Sequence, residues 1–274
     1  MPAFPASAAL NRRSFLSAGT AALAALATGA AANDDVERPD LDDVFKAQRV
    51  TGAFALFEAK SGRLTLVNAE RARRRYVPAS TFKIANSIIA LETRVIRDEN
   101  EVIPYGGKPQ PFPAWEKDMS MREAITASSV PIYQELARRI GFDNYRRWLT
   151  RLDYGNYAIG TNVETFWLDG PLEISAVEQA KFAVRLAQQK LPASPRTQGI
   201  VRDILRLEEK NGRTLYGKTG WRFSSKPQLG WWTGWVEHDD AVSGFAINMD
   251  LTSAPDAAKR VAVGKILLER LNIY

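Results

Sequence analysis

The β-favouring runs of this 274-residue chain sit at its two ends, with almost none between them. Thr51 to Glu58 and Leu64 to Val67, separated by Ala59-Lys60-Ser61-Gly62, read as a hairpin. Thr214 to Thr219, Gly230 to Glu237 and Val242 to Met249 read as three more strands, joined by turns such as Glu237-His238-Asp239-Asp240. The middle has a different texture. Thr81 to Thr93 places Phe82, Ile84, Ala85, Ile88, Ile89 and Leu91 at helical spacing, and Met121–Ala127, Pro131–Arg139, Tyr145–Leu149 and Ala176–Gln189 repeat the pattern. Pro104 to Pro113 is a proline- and glycine-rich loop, Ile200 to Glu209 is expected to be an amphipathic helix, and Ala257 to Leu271 closes the chain as another. One sheet can use all these strands only if the chain ends meet. The pattern therefore predicts an α+β fold: a mainly antiparallel sheet from about 33–79 and 196–274, flanked by helices, with an all-helical part inserted at about 80–195.

Composition narrows the chemistry. The chain has no cysteine, which excludes disulfides, thiolate metal sites and a cysteine nucleophile. Its single histidine, His238, falls in a charged turn, so no multi-histidine metal site is expected and a serine nucleophile would need a base other than histidine. Before Asp34 there is no acidic residue: Asn11-Arg12-Arg13-Ser14-Phe15-Leu16 leads into an alanine-rich apolar run that ends at Ala32. That layout predicts an export signal over residues 1–32, possessing the paired arginines of the twin-arginine type, and a mature chain from about residue 33 in the periplasm or outside the cell, with no membrane attachment after cleavage. Lys and Arg number 37 against 31 Asp and Glu, and removing Arg12 and Arg13 leaves a surplus of four. So small a surplus does not mark a nucleic-acid surface, and the densest patch, Arg71 to Arg75, lacks interleaved aromatics and reads as a solvated loop.

Four short motifs carry candidate chemistry. In Ser80-Thr81-Phe82-Lys83 a hydroxyl and an amine lie three residues apart at a helix start, hence on one face. Apolar neighbours Phe82, Ile84 and Ile88 disfavour the ammonium and suit the amine to accept a proton, while the helix start supplies N–H groups for an oxyanion. Lys218-Thr219-Gly220 on a strand offers a cation and a hydroxyl for a carboxylate, with a glycine that lets a substrate backbone approach. Gly212-Arg213-Thr214-Leu215-Tyr216-Gly217-Lys218-Thr219 also spells a phosphate-binding loop, but Leu205 to Asn211 reads as a charged helix end and more strand follows Gly220, where that loop needs a buried strand before and a helix after. Ser128-Ser129-Val130 and Tyr154-Gly155-Asn156 are, taken singly, only turns.

Together, and with Phe166-Trp167-Leu168, Gly230-Trp231-Trp232 and Lys259-Arg260, these motifs occur in an order that resembles the class D, or oxacillinase-type, serine β-lactamases over the whole mature region. Penicillin-binding proteins and class A β-lactamases share the first and last motifs but usually carry asparagine where this chain has Val130. The resemblance implies the serine β-lactamase/penicillin-binding-protein fold and hydrolysis of penicillin-type antibiotics through a serine acyl-enzyme. It assigns Ser80 as nucleophile, Lys83 as general base in an N-carboxylated form made with carbon dioxide, and Ser128 as proton relay to the leaving ring nitrogen. Lys218, Thr219 and Arg260 would bind the drug's carboxylate, the N–H groups of Ser80 and Trp221 would form the oxyanion hole, Tyr154 would border the site, and Trp167 and Val130 would support the carbamate. The implied partner is a small β-lactam, with no cofactor beyond carbon dioxide or bicarbonate and no metal; a monomer and a homodimer are both compatible. Two rivals are an acylating penicillin-binding protein or sensor that releases product slowly, and a non-catalytic binding protein in which Ser80 and Lys83 are a helix cap and a core lysine.

Overall fold

The computed structural model describes residues 35–274, so the expected export signal over 1–32 lies outside the described residues. In chain order the elements are β1 (Val36–Glu37), α1 (Asp42–Ala47), β2 (Gly52–Glu58), β3 (Leu64–Val67), α2 (Ala69–Arg73), α3 (Lys83–Glu92), β4 (Val102–Ile103), β5 (Met119–Ser120), α4 (Met121–Ala127), α5 (Val130–Leu152), α6 (Ala176–Ala187), α7 (Pro195–Ile204), β6 (Arg206–Lys210), β7 (Arg213–Arg222), β8 (Gln228–His238), β9 (Ala241–Leu251) and α8 (Lys259–Arg270). Seven strands form one sheet in the order β1-β3-β2-β9-β8-β7-β6, antiparallel except for β1 on β3, and β4 pairs with β5 separately. The chain ends meet where β2 pairs with β9, with Ala55 opposite Ala246. That junction is the α+β arrangement expected from the placement of the strand runs.

Alternation along the strands decides what covers each face. Phe54, Trp232, Phe245 and Ile247 point to one side and pack with Phe45 of α1 and Leu267 of α8. Ala53, Ala55, Trp231 and Ala246 point to the other and meet Ala176 and Ala180 of α6. Behind the sheet a larger core gathers Phe82, Ile88, Ile89, Met121, Ile132, Leu136, Leu149 and Phe166 around α3, whose residues from Lys83 through Leu91 are all buried. Trp231, Trp232 and Trp235 are core residues, and Met119 and Met121 are packing residues, as their surroundings in the sequence suggest.

Three local expectations change. The segment 200–209 is not one helix: α7 starts earlier, at Pro195 behind the cap Ser194, and ends at Ile204, after which Arg206–Lys210 is an exposed edge strand. The reason is the Asn211-Gly212 turn, with both residues at positive φ (50° and 73°), which is the geometry that folds a two-residue hairpin back onto β7. A strand thus does precede Gly212, but it is an exposed edge, and Lys218-Thr219 lies within β7 with no helix behind it, so no phosphate cradle forms. α7 packs on α3, which extends the helical half to Ile204. The two helices expected within 131–149 are one element, bent at Gly141, where φ is 73° and ψ 165°. The arginines 71–75 are not a solvated loop. They run through α2 into ion pairs, Arg71 with Asp250, Arg73 with Asp35, Arg74 with Glu70 and Arg75 with Glu178.

Candidate active site

The nucleophile motif straddles two kinds of helix. Ala79–Phe82 forms a 3-10 turn and α3 begins at Lys83, so Ser80 sits in the tighter turn and Lys83 in the first turn of the α-helix. Three-residue separation still puts both on one face, and Lys83 Nζ donates to Ser80 Oγ at 2.7 Å. Ser80 keeps 7% of its surface exposed, enough to meet a ligand, whereas Lys83 has none. Burial pushes the Lys83 amine well below its usual range, helped by repulsion from Lys218, and no carboxylate among the described residues opposes this. The ring of Tyr133 is centred 5.2 Å from Nζ. An uncharged amine at hydrogen-bond distance from a serine hydroxyl can take that hydroxyl's proton.

The second wall comes from β7 and from the end of α4. Ser128 caps α4 in the left-handed region (φ 55°), a conformation that turns the chain sharply towards Ser129 and α5. Lys218 Nζ donates to Ser128 Oγ at 2.9 Å and to Thr219 O at 3.0 Å. Lys218 is 6% exposed, and burial together with the nearby Arg260 charge lowers its pKa to about 7. Arg260, at the start of α8, donates from Nη1 to Gly220 O, and burial lowers its pKa to about 10. A Cβ at Gly220 would stand 3.0 Å from Pro78 O and 3.1 Å from Thr81, so the glycine admits the protein's own Ser80 turn against β7.

These pieces enclose a cleft of about 550 Å³ with Ser80, Ser128, Val130, Thr219, Trp221 and Arg260 on its lining. Lys83 and Lys218 lie just behind that lining, each reaching it through the serine it touches. Trp167 is fully buried, its ring 5.6 Å from that of Phe82, and its indole Nε1 has no hydrogen-bond partner. Tyr154 does not border the cleft. It is fully buried behind the nucleophile turn, edge-on to Phe82 at 5.5 Å and to Phe182 at 5.1 Å, because the turn that follows α5 directs it into the core.

The sequence offers the two rim loops singly and not their contact. Phe112 packs on Trp115 (4.7 Å) and approaches Trp221 (6.4 Å) and Phe223 (6.5 Å), joining the Pro104–Pro113 loop to the turn after β7. On the same side Arg222 Nη2 donates to Asp169 O and Ser224 Oγ to Asp169 Oδ1. Nor does the sequence show that Trp231 Nε1 donates to Val77 O at 3.0 Å and ties β8 to the segment ahead of Ser80. The aromatic content of both loops was the one available signal, and it does not reveal that the loops meet.

Residues 49–269 match the penicillin binding protein transpeptidase domain family. The chain is 37% identical to β-lactamase OXA-10 of Pseudomonas aeruginosa over 250 residues, 90% of this chain and 94% of that protein. It is 41% identical to β-lactamase OXA-48 of Klebsiella pneumoniae over 206 residues, 75% of this chain and 78% of the relative. Among solved structures, FUS-1 (OXA-85), a class D β-lactamase from Fusobacterium nucleatum subsp. polymorphum, superimposes with a TM-score of 0.83 at 36% identity, covering 86% of this chain and 99% of that one. A buried serine–lysine pair facing a second serine–lysine pair across a cleft, on this fold and with relatives this similar, places the protein in the class D β-lactamases.

Proposed function

We propose that this enzyme opens the β-lactam amide of penicillin-type antibiotics through an acyl-enzyme on Ser80, with Lys83 as general base in N-carboxylated form, and that it does so after export. The observation that carries the reading is the 2.7 Å contact between Ser80 Oγ and a wholly buried Lys83 amine that no carboxylate among the described residues neutralises. Ser80 Oγ attacks the β-lactam carbonyl carbon as its proton leaves towards Lys83, and the backbone N–H groups of Ser80 and Trp221 receive the developing oxyanion. The ring C–N bond then breaks. Ser128 Oγ, which Lys218 contacts at 2.9 Å, gives its proton to the departing nitrogen, and Lys218 replaces it. Thr219 and Arg260 on the lining, with Lys218 behind them, take the substrate's carboxylate. The proton held at Lys83 passes through solvent to Lys218, restoring both groups. Water then attacks the ester, its proton passing to the base at Lys83, which returns it to Ser80 Oγ as the ester C–O bond breaks, and product leaves with a new carboxylic acid.

The residues around Lys83 suit the modification. A lowered pKa keeps the amine free to react with carbon dioxide, and the unpartnered Trp167 indole N–H, in the buried cluster that holds the Lys83 neighbours Phe82 and Ile84, is a donor awaiting an acceptor. Bound carbon dioxide supplies a carboxylate oxygen as base at Nζ; Trp167 would hold it and Val130, on the cleft lining, would keep water from it.

Stopped-flow mixing of the purified enzyme with excess chromogenic penicillin, with and without bicarbonate after carbon dioxide is removed at low pH, tests both parts. Many turnovers per molecule, restored by bicarbonate, is the expected result. A burst of about one equivalent followed by silence would instead identify an acylating sensor. Turnover indifferent to bicarbonate, with no carbamate carbon seen by ¹³C labelling, would leave Lys83 as an unmodified amine base.

A further inference from the structure

We propose that Gln179 of α6 is a positioning residue for acylation, acting through Thr81 on the turn that aims Ser80; this deepens the reading above and rests on it. The residue before the nucleophile, Ala79, has φ +49°. A side chain larger than hydrogen is held in that left-handed region only where neighbours over-determine the backbone. Pro78 O, one residue earlier, is the point at which they do so. It accepts from Thr81 N at 3.2 Å and from Thr81 Oγ1 at 2.7 Å, and Gly220 lets β7 press against it.

A carbonyl oxygen can only accept, so the single hydroxyl proton of Thr81 is committed to Pro78 O. Whatever else touches Thr81 Oγ1 must then be a donor, and at 2.6 Å that group is the Gln179 side-chain Nε2. The chain of bonds has one polarity: Gln179 to Thr81 to Pro78. It lies in a dry place, since Thr81, Gln179 and Tyr154 are all buried, and the Tyr154 hydroxyl lies within reach of both Thr81 and Gln179. An amide kept there is retained against the cost of burying it. Its donor is the half that meets Thr81. The helix that carries it is firmly seated: Gly244 of β9 lets α6 approach so closely that a Cβ there would stand 2.3 Å from Ala180 O. Thus α6, which lends no residue to the cleft lining, fixes the direction of the Ser80 hydroxyl relative to Lys83.

The test is single-turnover acylation by a chromogenic penicillin, measured with substrate affinity and melting temperature for the wild type and for Gln179→Met, Gln179→Glu, Thr81→Ser, Thr81→Val and the Thr81→Val/Gln179→Met double variant. Misdirecting an attacking group by a fraction of an ångström to about 1 Å costs on the order of 10–100-fold in rate, so Gln179→Met is expected to lose that much acylation with affinity changed by less than about twofold. Gln179→Glu, which can only accept when ionised, draws the Thr81 proton away from Pro78 and loses at least as much. Thr81→Ser keeps the hydroxyl and the wild-type rate, Thr81→Val falls to the Gln179→Met level, and the double variant is no slower than Thr81→Val. Wild-type acylation in Gln179→Met, or losses that multiply in the double variant, overturns the proposal. If Gln179→Met does not fold, equal rates for Thr81→Ser and Thr81→Val overturn it equally. Mass spectrometry of the wild type separates the two levels: no adduct on Ser80 defeats the proposed function and this inference together, whereas a wild-type adduct with unaffected variants defeats the inference alone.

Discussion

Lys83 and Lys218 are the same residue type, both buried, both with amines lowered by desolvation, and each touching one serine hydroxyl. They differ in what lies on their open side. Lys83 is enclosed by the helical core of α3 and α5, with the Tyr133 ring as its aromatic neighbour, and burial holds its amine well below the usual range. Lys218 stands on β7 at the seam between sheet and helices, beside Thr219 and under the influence of Arg260, and sits near neutrality at about 7. A substrate carboxylate arriving in the cleft adds a negative charge on the Lys218 side and raises that pKa, so the cation appears when there is an anion to bind. On the proposed mechanism, surroundings and not residue type divide the roles into base and anion receptor.

Removing the base is the hardest blow to this comparison. Lys83→Met should lower turnover by about 10³-fold, within the range general-base groups supply, while folding stability stays level or rises, because a buried amine is replaced by a thioether chain of similar length. Steady-state kinetics and a urea midpoint check both halves. A Lys83→Met enzyme that retains turnover would place the base elsewhere. Next in size is Gly220→Ala. The added methyl meets Pro78 O at 3.0 Å and pushes the two lysine walls apart, which predicts about 10²-fold slower acylation and about 1–3 kcal/mol lower stability from overpacking, read by stopped flow and by denaturant unfolding.

Lys218 gives a pH signature of definite sign. Its folded pKa of about 7 lies below the ordinary lysine value, so between about pH 7 and 10.5 the unfolded chain binds the extra proton. Stability therefore rises with pH across that window, by roughly 1.4 kcal/mol per unit for this one group, and the slope vanishes below pH 7, where both states are protonated and the full cost of the buried cation remains. Lys218→Met should flatten the melting temperature against pH between 7 and 10. The same variant should raise KM for penicillins about tenfold by removing one partner of the carboxylate. An unchanged pH slope would mean that the amine is better solvated than its burial implies.

The site's chemistry was more legible in the sequence than its shape. Ser80 and Lys83 share a face in any helix-like turn, and Lys218-Thr219-Gly220 read as strand because β-favouring residues surround it, so local rules sufficed. The joining of chain ends was legible for the same reason: alternating runs at 51–67 and 214–249 had nowhere else to pair. Tyr154 was misplaced because a turn triplet fixes a bend and not the side to which its aromatic ring points. The end of α7 was misjudged because Leu205 to Lys210 continues the amphipathic texture, and the Asn211-Gly212 signal that overrides it lies just beyond. Gln179 and Thr81 are 98 residues apart, and the rim aromatics come from separate loops. Contacts of that kind exist only once the sheet has closed.

The smallest effect is expected at the rim, and it sharpens the contrast between the two lysines. Phe112 is 37% exposed, lines the cleft and touches Trp115, Trp221 and Phe223. Phe112→Ala removes aromatic contacts worth about 0.5–1.5 kcal/mol, which predicts a KM about two- to tenfold higher for penicillins with an aryl side chain and little change for those with a small one. A partly exposed loop residue should alter folding stability by no more than about 1 kcal/mol. The acylation pH profile is the decisive readout. If desolvation of Lys218 comes from the sheet and from α8, as its burial and its Arg260 neighbour indicate, the midpoint near 7 stays where it is when the Phe112 ring is removed. If the midpoint instead climbs towards the ordinary lysine range, the rim aromatics are part of what keeps that lysine dry, and the boundary between the anion receptor and the substrate-selecting loops has been drawn in the wrong place.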